Sequence, residues 1–135
     1  MKDGHEQIRV IDYKTGSHVP TPLSGVEAIF LQDQLKNHSD YYLQTFLYSI
    51  IVSRRQTPPT PVSPALLFIQ HAGVDDYNPV LKFGKEYIDD VAPHAAAFMN
   101  TLTQVIDEIF DTSTPFLPTQ DRTRCTNCPF RLLCH

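Results

Sequence analysis

An acidic and a basic residue stand two positions apart at the end of the first apolar segment, in Asp12-Tyr13-Lys14. Side chains two apart on a β-strand point to the same face, so Asp12 and Lys14 would project together near the strand end. Such a carboxylate can hold a divalent metal, and such an amine can orient a water or stabilise a developing oxyanion during phosphodiester hydrolysis. The alternative is an exposed ion pair, which contributes little to stability.

Three cysteines near the C-terminus, Cys125, Cys128 and Cys134, have the spacing C-x2-C-x5-C. Clustered thiols in a reduced compartment are more often metal ligands than disulfides. Four thiolates are the usual complement for an iron-sulfur cubane or a structural zinc, and this chain contains three cysteines. An iron-sulfur cluster, a zinc site with His135 as a further ligand, and no metal role are therefore the alternatives.

The acid and amine belong to a predicted strand from Gln7 to Tyr13, which is apolar and rich in β-branched residues. The pair Asp3-Gly4 precedes it, and such a pair favours a tight hairpin. A hairpin needs a preceding strand that this chain does not contain. We therefore expect the chain to be truncated on its N-terminal side.

A helix is predicted from Tyr41 to about Arg55, because Asp40 is a typical helix-start residue and an apolar stripe follows at helical spacing. The stripe consists of Leu43, Phe46, Leu47, Ile50 and Ile51. Gln44 and Tyr48 are four residues apart, so they share one face of this helix and can reach the same edge of the domain. Taken alone, they would be an ordinary polar fringe.

The remaining segments predict an α/β domain. Residues His18 to Asp40 are expected to form a long excursion with one or two helical turns, and the proline-rich stretch Gln56 to Pro64 should be neither helix nor interior strand. Short strands are predicted at Ala65 to Gln70 and at Val80 to Phe83. An amphipathic helix is predicted from about Val91 to Phe110.

The composition fits one soluble domain, with 135 residues, 41% of them hydrophobic and 19% charged. No apolar run approaches the roughly 18–20 residues that cross a bilayer, and the N-terminus lacks the apolar stretch of a signal peptide. We therefore expect a cytoplasmic protein with no membrane partner. The net charge of −4 argues mildly against nucleic-acid binding. The acidic excess lies in residues 57–118, however, so the two ends are the expected phosphate-facing parts.

Three motifs together resemble one enzyme family. The stretch Ile8 to Gly16 resembles the signature strand of the RecB-like branch of the PD-(D/E)XK nucleases, a hydrophobic strand ending in Asp-Tyr-Lys-Thr-Gly. Gln44 and Tyr48 match the Gln-x3-Tyr motif that follows in that family. The cysteine trio resembles the one that follows the nuclease core in members with a [4Fe-4S] cluster, in particular the AddB-type helicase-nuclease subunits. The matches occur in the family's order.

The resemblance implies a restriction-endonuclease-like α/β core, N-terminally truncated, with a mixed central sheet flanked by helices. Residues 1–118 would be the partial nuclease core and residues 119–135 its cysteine-containing tail. The parent protein would be a metal-dependent DNA exonuclease that acts with a helicase domain or subunit in recombination or double-strand-break repair.

The same resemblance assigns roles to the site residues. Asp12, the carbonyl of Tyr13 and an aspartate missing from this chain would hold Mg²⁺ or Mn²⁺. Lys14 would position the attacking water or stabilise the phosphate, and Gln44 with Tyr48 would help to place Lys14 or the DNA backbone. Since one carboxylate and one carbonyl make a weak site, we expect these 135 residues alone to bind metal poorly and not to cleave DNA.

In the resembled proteins the fourth cysteine lies far upstream, and the cluster joins the two ends of the nuclease domain. Cys125, Cys128 and Cys134 are therefore expected to hold the [4Fe-4S] cluster only in the intact protein. Two rival classes are a nuclease-like module that has lost catalysis and serves as a DNA-binding or structural clamp, and a small zinc- or thiol-dependent interaction protein. Retention of both Asp12 and Lys14 argues against lost catalysis.

Overall fold

The computed structural model describes residues 6–119 and 121–133 of the chain. The chain divides into two units, one reaching to Gln104 and the other beginning at Val105. The elements, in chain order, are the strand β1 (Ile8–Lys14), the helix α1 (Ser39–Ser53), the strands β2 (Val62–Phe68), β3 (Lys82–Phe83) and β4 (Glu86–Tyr87), and the helix α2 (Ala92–Phe110). Short 3-10 turns lie between them, including two in the excursion between β1 and α1, at Glu27–Phe30 and Gln32–Asn37.

The strands β1 and β2 pair in parallel, with Ile8 opposite Val62 and Lys14 opposite Phe68. A parallel pair needs a crossover connection, and here the connection contains α1. Side chains of β1 alternate between half-buried and exposed along the whole strand. The half-buried set begins with Ile8 and Val10, which pack against the core, and continues with Asp12 and Lys14. The pleat of β1 therefore places the acid and the amine on the core side of the sheet.

Among the described residues, backbone hydrogen bonds to another strand occupy one edge of β1. The N–H group of Ile8 donates to the carbonyl of Pro61 at 2.9 Å, which fixes the direction of the groups that face β2. Because these groups alternate along a strand, the N–H and C=O groups of Arg9, Ile11 and Tyr13 face the opposite edge. No strand in the described part of the chain pairs with that edge.

Pro64 lies inside β2, so the prediction that it cannot belong to an interior strand is wrong. The backbone groups of Pro64 face away from β1, so pairing with β1 requires no N–H donor from this residue. Its carbonyl accepts the N–H of Leu81 at 2.9 Å. The segment around Leu81 runs antiparallel to β2 here. In a regular antiparallel pair, the carbonyl of Leu81 would accept an N–H from residue 64, which a proline lacks. It accepts the N–H of Ile88 instead, at 2.9 Å. This substitute donor removes the usual cost of a proline between two neighbours.

The other predicted elements agree with the structure apart from their ends. The predicted strand Ala65 to Gln70 ends earlier, because Gln70 belongs to a 3-10 turn at Ile69–His71. The predicted strand Val80 to Phe83 is divided between an isolated bridge from Val80 to Ala65 and the two-residue strand β3. None of the helices in the described ranges has the length and hydropathy that crossing a bilayer requires.

A cluster of aromatic rings forms the centre of the first unit. Phe46 of α1 and Phe98 of α2 are both fully buried, with ring centroids 5.8 Å apart. Phe83 lies 5.4 Å from Phe46, and Phe30 lies 5.3 Å from Phe98. Aliphatic side chains surround these rings: Leu23, Val26, Ile29, Ile50, Val62, Leu66, Leu81, Ile88 and Val91. The cluster thus joins α1 to β2 and to the first turns of α2.

A buried tyrosine fastens α1 to the segment that follows β2. Tyr42 is 2% exposed, and its hydroxyl donates to the carbonyl of Lys82 at 3.0 Å. Burial raises the pKa of Tyr42 above its usual value, because the charged phenolate would lose its solvation. The neutral tyrosine therefore acts as a structural donor.

The second unit contains the end of α2 and two 3-10 turns, at Arg122–Cys125 and Arg131–Leu133. Asp121 caps the first turn by accepting the N–H of Thr123 at 3.1 Å. Hydrogen bonds from the hydroxyl and the amide of Thr123 hold the pKa of Asp121 below its usual value. Four large apolar side chains of this unit are 80–84% exposed: Phe116, Leu117, Leu132 and Leu133.

We expect Phe46→Ala to lower the free energy of unfolding by about 3–5 kcal/mol, because it removes a buried ring from the centre of the aromatic cluster. The matched control is Ile51→Ala on the same helix, where the side chain is 43% exposed. That change should cost much less. Urea unfolding followed by circular dichroism measures both, and equal midpoints for the two variants would contradict the assigned core.

Candidate active site

The end of β1 brings a carboxylate and an ammonium into contact. Lys14 Nζ lies 2.8 Å from Asp12 Oδ2, and the two side chains are only 17% and 19% exposed. The contact follows from the pleat of the strand, which turns both side chains to the same face. It differs from the exposed strand-end pair that was the alternative interpretation, since both charges are largely withdrawn from water.

The helix α1 adds two further polar groups to this pair. Lys14 Nζ donates to Gln44 Oε1 at 3.2 Å, and Gln44 Nε2 donates to the hydroxyl of Tyr48 at 3.3 Å. Gln44 and Tyr48 meet because residues four apart lie on one helix face. Four side chains that the sequence singled out therefore form one connected chain of contacts, running from Asp12 to Tyr48. Tyr48 is 47% exposed, so this chain ends at the surface.

Among the described residues, one oxygen of Asp12 has no hydrogen-bond donor. Its Oδ2 atom is buried and accepts no hydrogen bond, although the ammonium of Lys14 lies 2.8 Å away. The two observations agree if the contact is a charge contact that lacks the direction of a hydrogen bond. The ammonium of Lys14 compensates the charge of this oxygen, while the oxygen keeps lone-pair capacity that a further cation could use. This oxygen is the feature of the site that fits a divalent metal.

The described residues supply only part of a metal site. Within residues 6–119 and 121–133, no group of three or more His, Cys, Asp or Glu side chains is placed to hold a metal ion. The side chain of Tyr13 is 63% exposed on the opposite face of β1, and its carbonyl faces the open strand edge. Asp12 and that carbonyl are the predicted oxygen ligands, and weak metal binding by this chain stays a prediction.

Two residues that sequence reasoning did not select also belong to this site. Lys14 Nζ lies 4.1 Å from the centroid of the Tyr41 ring, and the His38 ring stacks on Tyr41 with centroids 4.5 Å apart and planes at 12°. Tyr41 precedes Gln44 by three residues, a spacing that places both on the same helix face. The spacing to Gln44 could therefore have identified Tyr41 from the sequence. Nothing in the sequence pattern pointed to His38.

A 3-10 turn after β2 holds the segment that follows β1. Gln70 Nε2 donates to the carbonyl of Thr15 at 3.3 Å, and His71 Nε2 lies 2.9 Å from the carbonyl of Ser17. These contacts fix the chain directly beyond Lys14. They give the amine a defined backbone position at a point where the strand ends and a loop begins.

The cysteines lie in the second unit. Cys125 and Cys128 are half-buried free thiols, and the N–H of Cys128 donates to the carbonyl of Cys125 at 3.3 Å in a tight turn. Cys134 and His135 lie outside the described residues. The structure thus places two of the three predicted thiol ligands in one turn, and the cluster itself stays a prediction.

Comparison with known proteins identifies a family. A family model described as the PD-(D/E)XK nuclease superfamily matches residues 1–135. No curated protein and no solved structure matches the chain. The parallel strand pair flanked by helices is consistent with a restriction-endonuclease-like fold, so the predicted α/β fold class is confirmed.

We expect Lys14→Met to lower the free energy of unfolding by about 1–3 kcal/mol in buffer without divalent cations, because it leaves the largely buried carboxylate of Asp12 without its counter-charge. The double variant Asp12→Asn/Lys14→Met removes both charges and should recover most of this loss. Urea unfolding at constant ionic strength measures the cycle. Identical unfolding midpoints for Lys14→Met and the double variant would show that the unpaired carboxylate of Asp12 does not cause the loss.

Proposed function

Because the chain belongs to the PD-(D/E)XK nuclease superfamily, we propose that it forms part of a deoxyribonuclease whose hydrolytic centre contains Asp12, Lys14, Gln44 and Tyr48. The observation that carries this proposal is the largely buried contact of 2.8 Å between Asp12 and Lys14, with one carboxylate oxygen lacking a hydrogen bond. Nucleases of this superfamily generally use Mg²⁺ or Mn²⁺. The unsatisfied oxygen of Asp12 is where such an ion would be held.

The residues of this chain have distinct roles in the proposed reaction. A bound divalent cation supplies positive charge that polarises the phosphate and lowers the pKa of a water. Asp12 provides its oxygen ligand, and the carbonyl of Tyr13 provides a second one. The ammonium of Lys14 orients the attacking water or donates a hydrogen bond to a non-bridging phosphate oxygen, and it stabilises negative charge as that charge develops.

Gln44 and Tyr48 fix the direction of the ammonium. The Gln44 amide donates through Nε2 to the hydroxyl of Tyr48, so its Oε1 atom must face Lys14. The oxygen accepts one N–H of Lys14 and restricts the directions of the others. Gln44 is therefore proposed to act on the orientation of Lys14, and Tyr48 to hold the amide in the productive orientation.

A second carboxylate is proposed to come from a further strand in the intact protein. The open edge of β1 supports this, since the backbone groups of Arg9, Ile11 and Tyr13 have no strand partner among the described residues. An unpaired edge is a natural site for another strand. An aspartate on that strand would complete the oxygen ligands that Asp12 and Tyr13 begin.

We further propose that the intact protein is an exonuclease that acts on DNA together with a helicase domain or subunit in recombination or double-strand-break repair. In it, Cys125, Cys128 and Cys134 would hold a [4Fe-4S] cluster with a fourth cysteine from elsewhere. The order of the three motifs and the two half-buried thiols in one turn support this assignment.

A cleavage assay tests the proposed centre. With Mg²⁺ or Mn²⁺, we expect the 135-residue chain to leave single- and double-stranded DNA uncut, and a chain extended by its native upstream sequence to cleave. In the extended chain, Asp12→Ala and Lys14→Ala should each lower the rate by about 10²–10³-fold. The matched control is Lys36→Ala, which removes an exposed amine outside the site and should change the rate little.

Two results would contradict the proposal. Cleavage by the 135-residue chain that disappears in Asp12→Ala would show that no second acid is required from elsewhere. An extended chain that binds DNA without cleaving it would assign the protein to the class of inactive nuclease-like modules.

The thiols allow a separate test. After anaerobic reconstitution with iron and sulfide, we expect the 135-residue chain to show no stable thiolate-to-iron absorption band, and an extended chain with a fourth cysteine to show one. Cys128→Ser should abolish the band in the extended chain. A stable band in the short chain, or stoichiometric zinc with no iron in the extended chain, would contradict the iron-sulfur assignment.

A further inference from the structure

We propose that Tyr41 is a positioning residue for Lys14, and that its ring holds the ammonium at the site once Asp12 is engaged by a divalent cation. This inference rests on the proposed function, because it concerns how the amine of the same centre is kept in place. It adds a residue that lies outside the Asp-Tyr-Lys and Gln-x3-Tyr motifs. It also gives the stacked pair of Tyr41 and His38 a role.

Three neighbours hold the ammonium of Lys14. Its Nζ atom lies 2.8 Å from Asp12 Oδ2, 3.2 Å from Gln44 Oε1 and 4.1 Å from the centroid of the Tyr41 ring. The last distance is well within the range of a cation-π contact. The Lys14 side chain is only 17% exposed, so these contacts replace most of its hydration.

The carboxylate of Asp12 would be shared between two cations. The oxygen of Asp12 that contacts Lys14 is also the oxygen that accepts no hydrogen bond. A divalent cation held by that oxygen would repel the ammonium at short range. Lys14 would then keep only Gln44 and the ring of Tyr41. The ring attracts the positive charge without accepting a particular N–H group, so it leaves protons of the ammonium available for the substrate.

The ring of Tyr41 is itself held in place. Lys14 Nζ lies 4.1 Å from its centroid, and the His38 ring stacks on it with centroids 4.5 Å apart. His38 has φ 56° and ψ 44°, a left-handed conformation that is uncommon outside glycine. His18 lies behind it, with ring centroids 5.6 Å apart. Stacking with His38 therefore restricts the orientations that are open to the ring beside Lys14.

Nuclear magnetic resonance of the 135-residue chain tests this role without requiring activity. The probe is the ε-methylene signal of Lys14, which the ring current of Tyr41 should shift upfield. Asp12→Asn removes the ion pair and stands in for a carboxylate engaged by a cation. We expect the upfield shift to persist in Asp12→Asn and in Asp12→Asn/Tyr41→Phe, and to be lost in Asp12→Asn/Tyr41→Leu.

The paired variants keep the test decisive. Tyr41→Phe retains the ring and loses only the hydroxyl, whereas Tyr41→Leu retains an apolar, helix-compatible side chain and loses the ring. The ring signals of Phe46 and Phe98 report whether each variant keeps its core. Loss of the shift in Asp12→Asn with Tyr41 intact, or its retention in Tyr41→Leu, would overturn the proposal. A chain that proves to be an inactive module would still show the expected pattern, so this result is separable from the failure of nuclease activity.

Discussion

The candidate site depends on the contact between Asp12 and Lys14. That contact depends in turn on the strand pairing and on the core of the first unit. Parallel pairing with β2 fixes β1 so that both side chains turn toward the core face. The aromatic cluster around Phe46 then holds α1 close enough for Gln44 to reach the ammonium. Withdrawing two charges from water is unfavourable unless both are well partnered, and one oxygen of this pair is not. The pairing of β1 and the position of α1 therefore set the surroundings of the two charges.

The sheet is organised around β2. One edge of β2 pairs with β1. The other edge forms backbone hydrogen bonds with the segment that contains Leu81 and Val91. By contrast, β1 has a strand partner on one side only among the described residues, and Ile11 and Tyr13 are exposed on its second face. An exposed strand edge beside apolar side chains favours pairing with another strand. The geometry of the sheet and the incomplete oxygen ligands of the metal site thus support the same proposal of a further strand.

The parts of the structure that depend on local periodicity could be predicted from the sequence. The period of two in a strand predicted that Asp12 and Lys14 share a face, and the four-residue spacing in a helix predicted that Gln44 meets Tyr48. The position of Pro64 could not be predicted in this way, because its missing donor is replaced by Ile88, which lies far along the chain. The cation-π contact of Tyr41 depends on the distance between β1 and α1, which sequence spacing does not contain.

A count of charges at the site explains why metal, acid and substrate should depend on one another. Asp12 and Lys14 together are neutral, so a divalent cation added to this pair alone would leave two uncompensated positive charges. In a largely buried environment such an excess is strongly unfavourable. A second carboxylate would cancel one of these charges, and a DNA phosphate would cancel the other. Under the proposed function, the ammonium would weaken metal binding in the absence of DNA, and a phosphate would be the anion that completes the site, so metal and DNA should bind together more strongly than either binds alone.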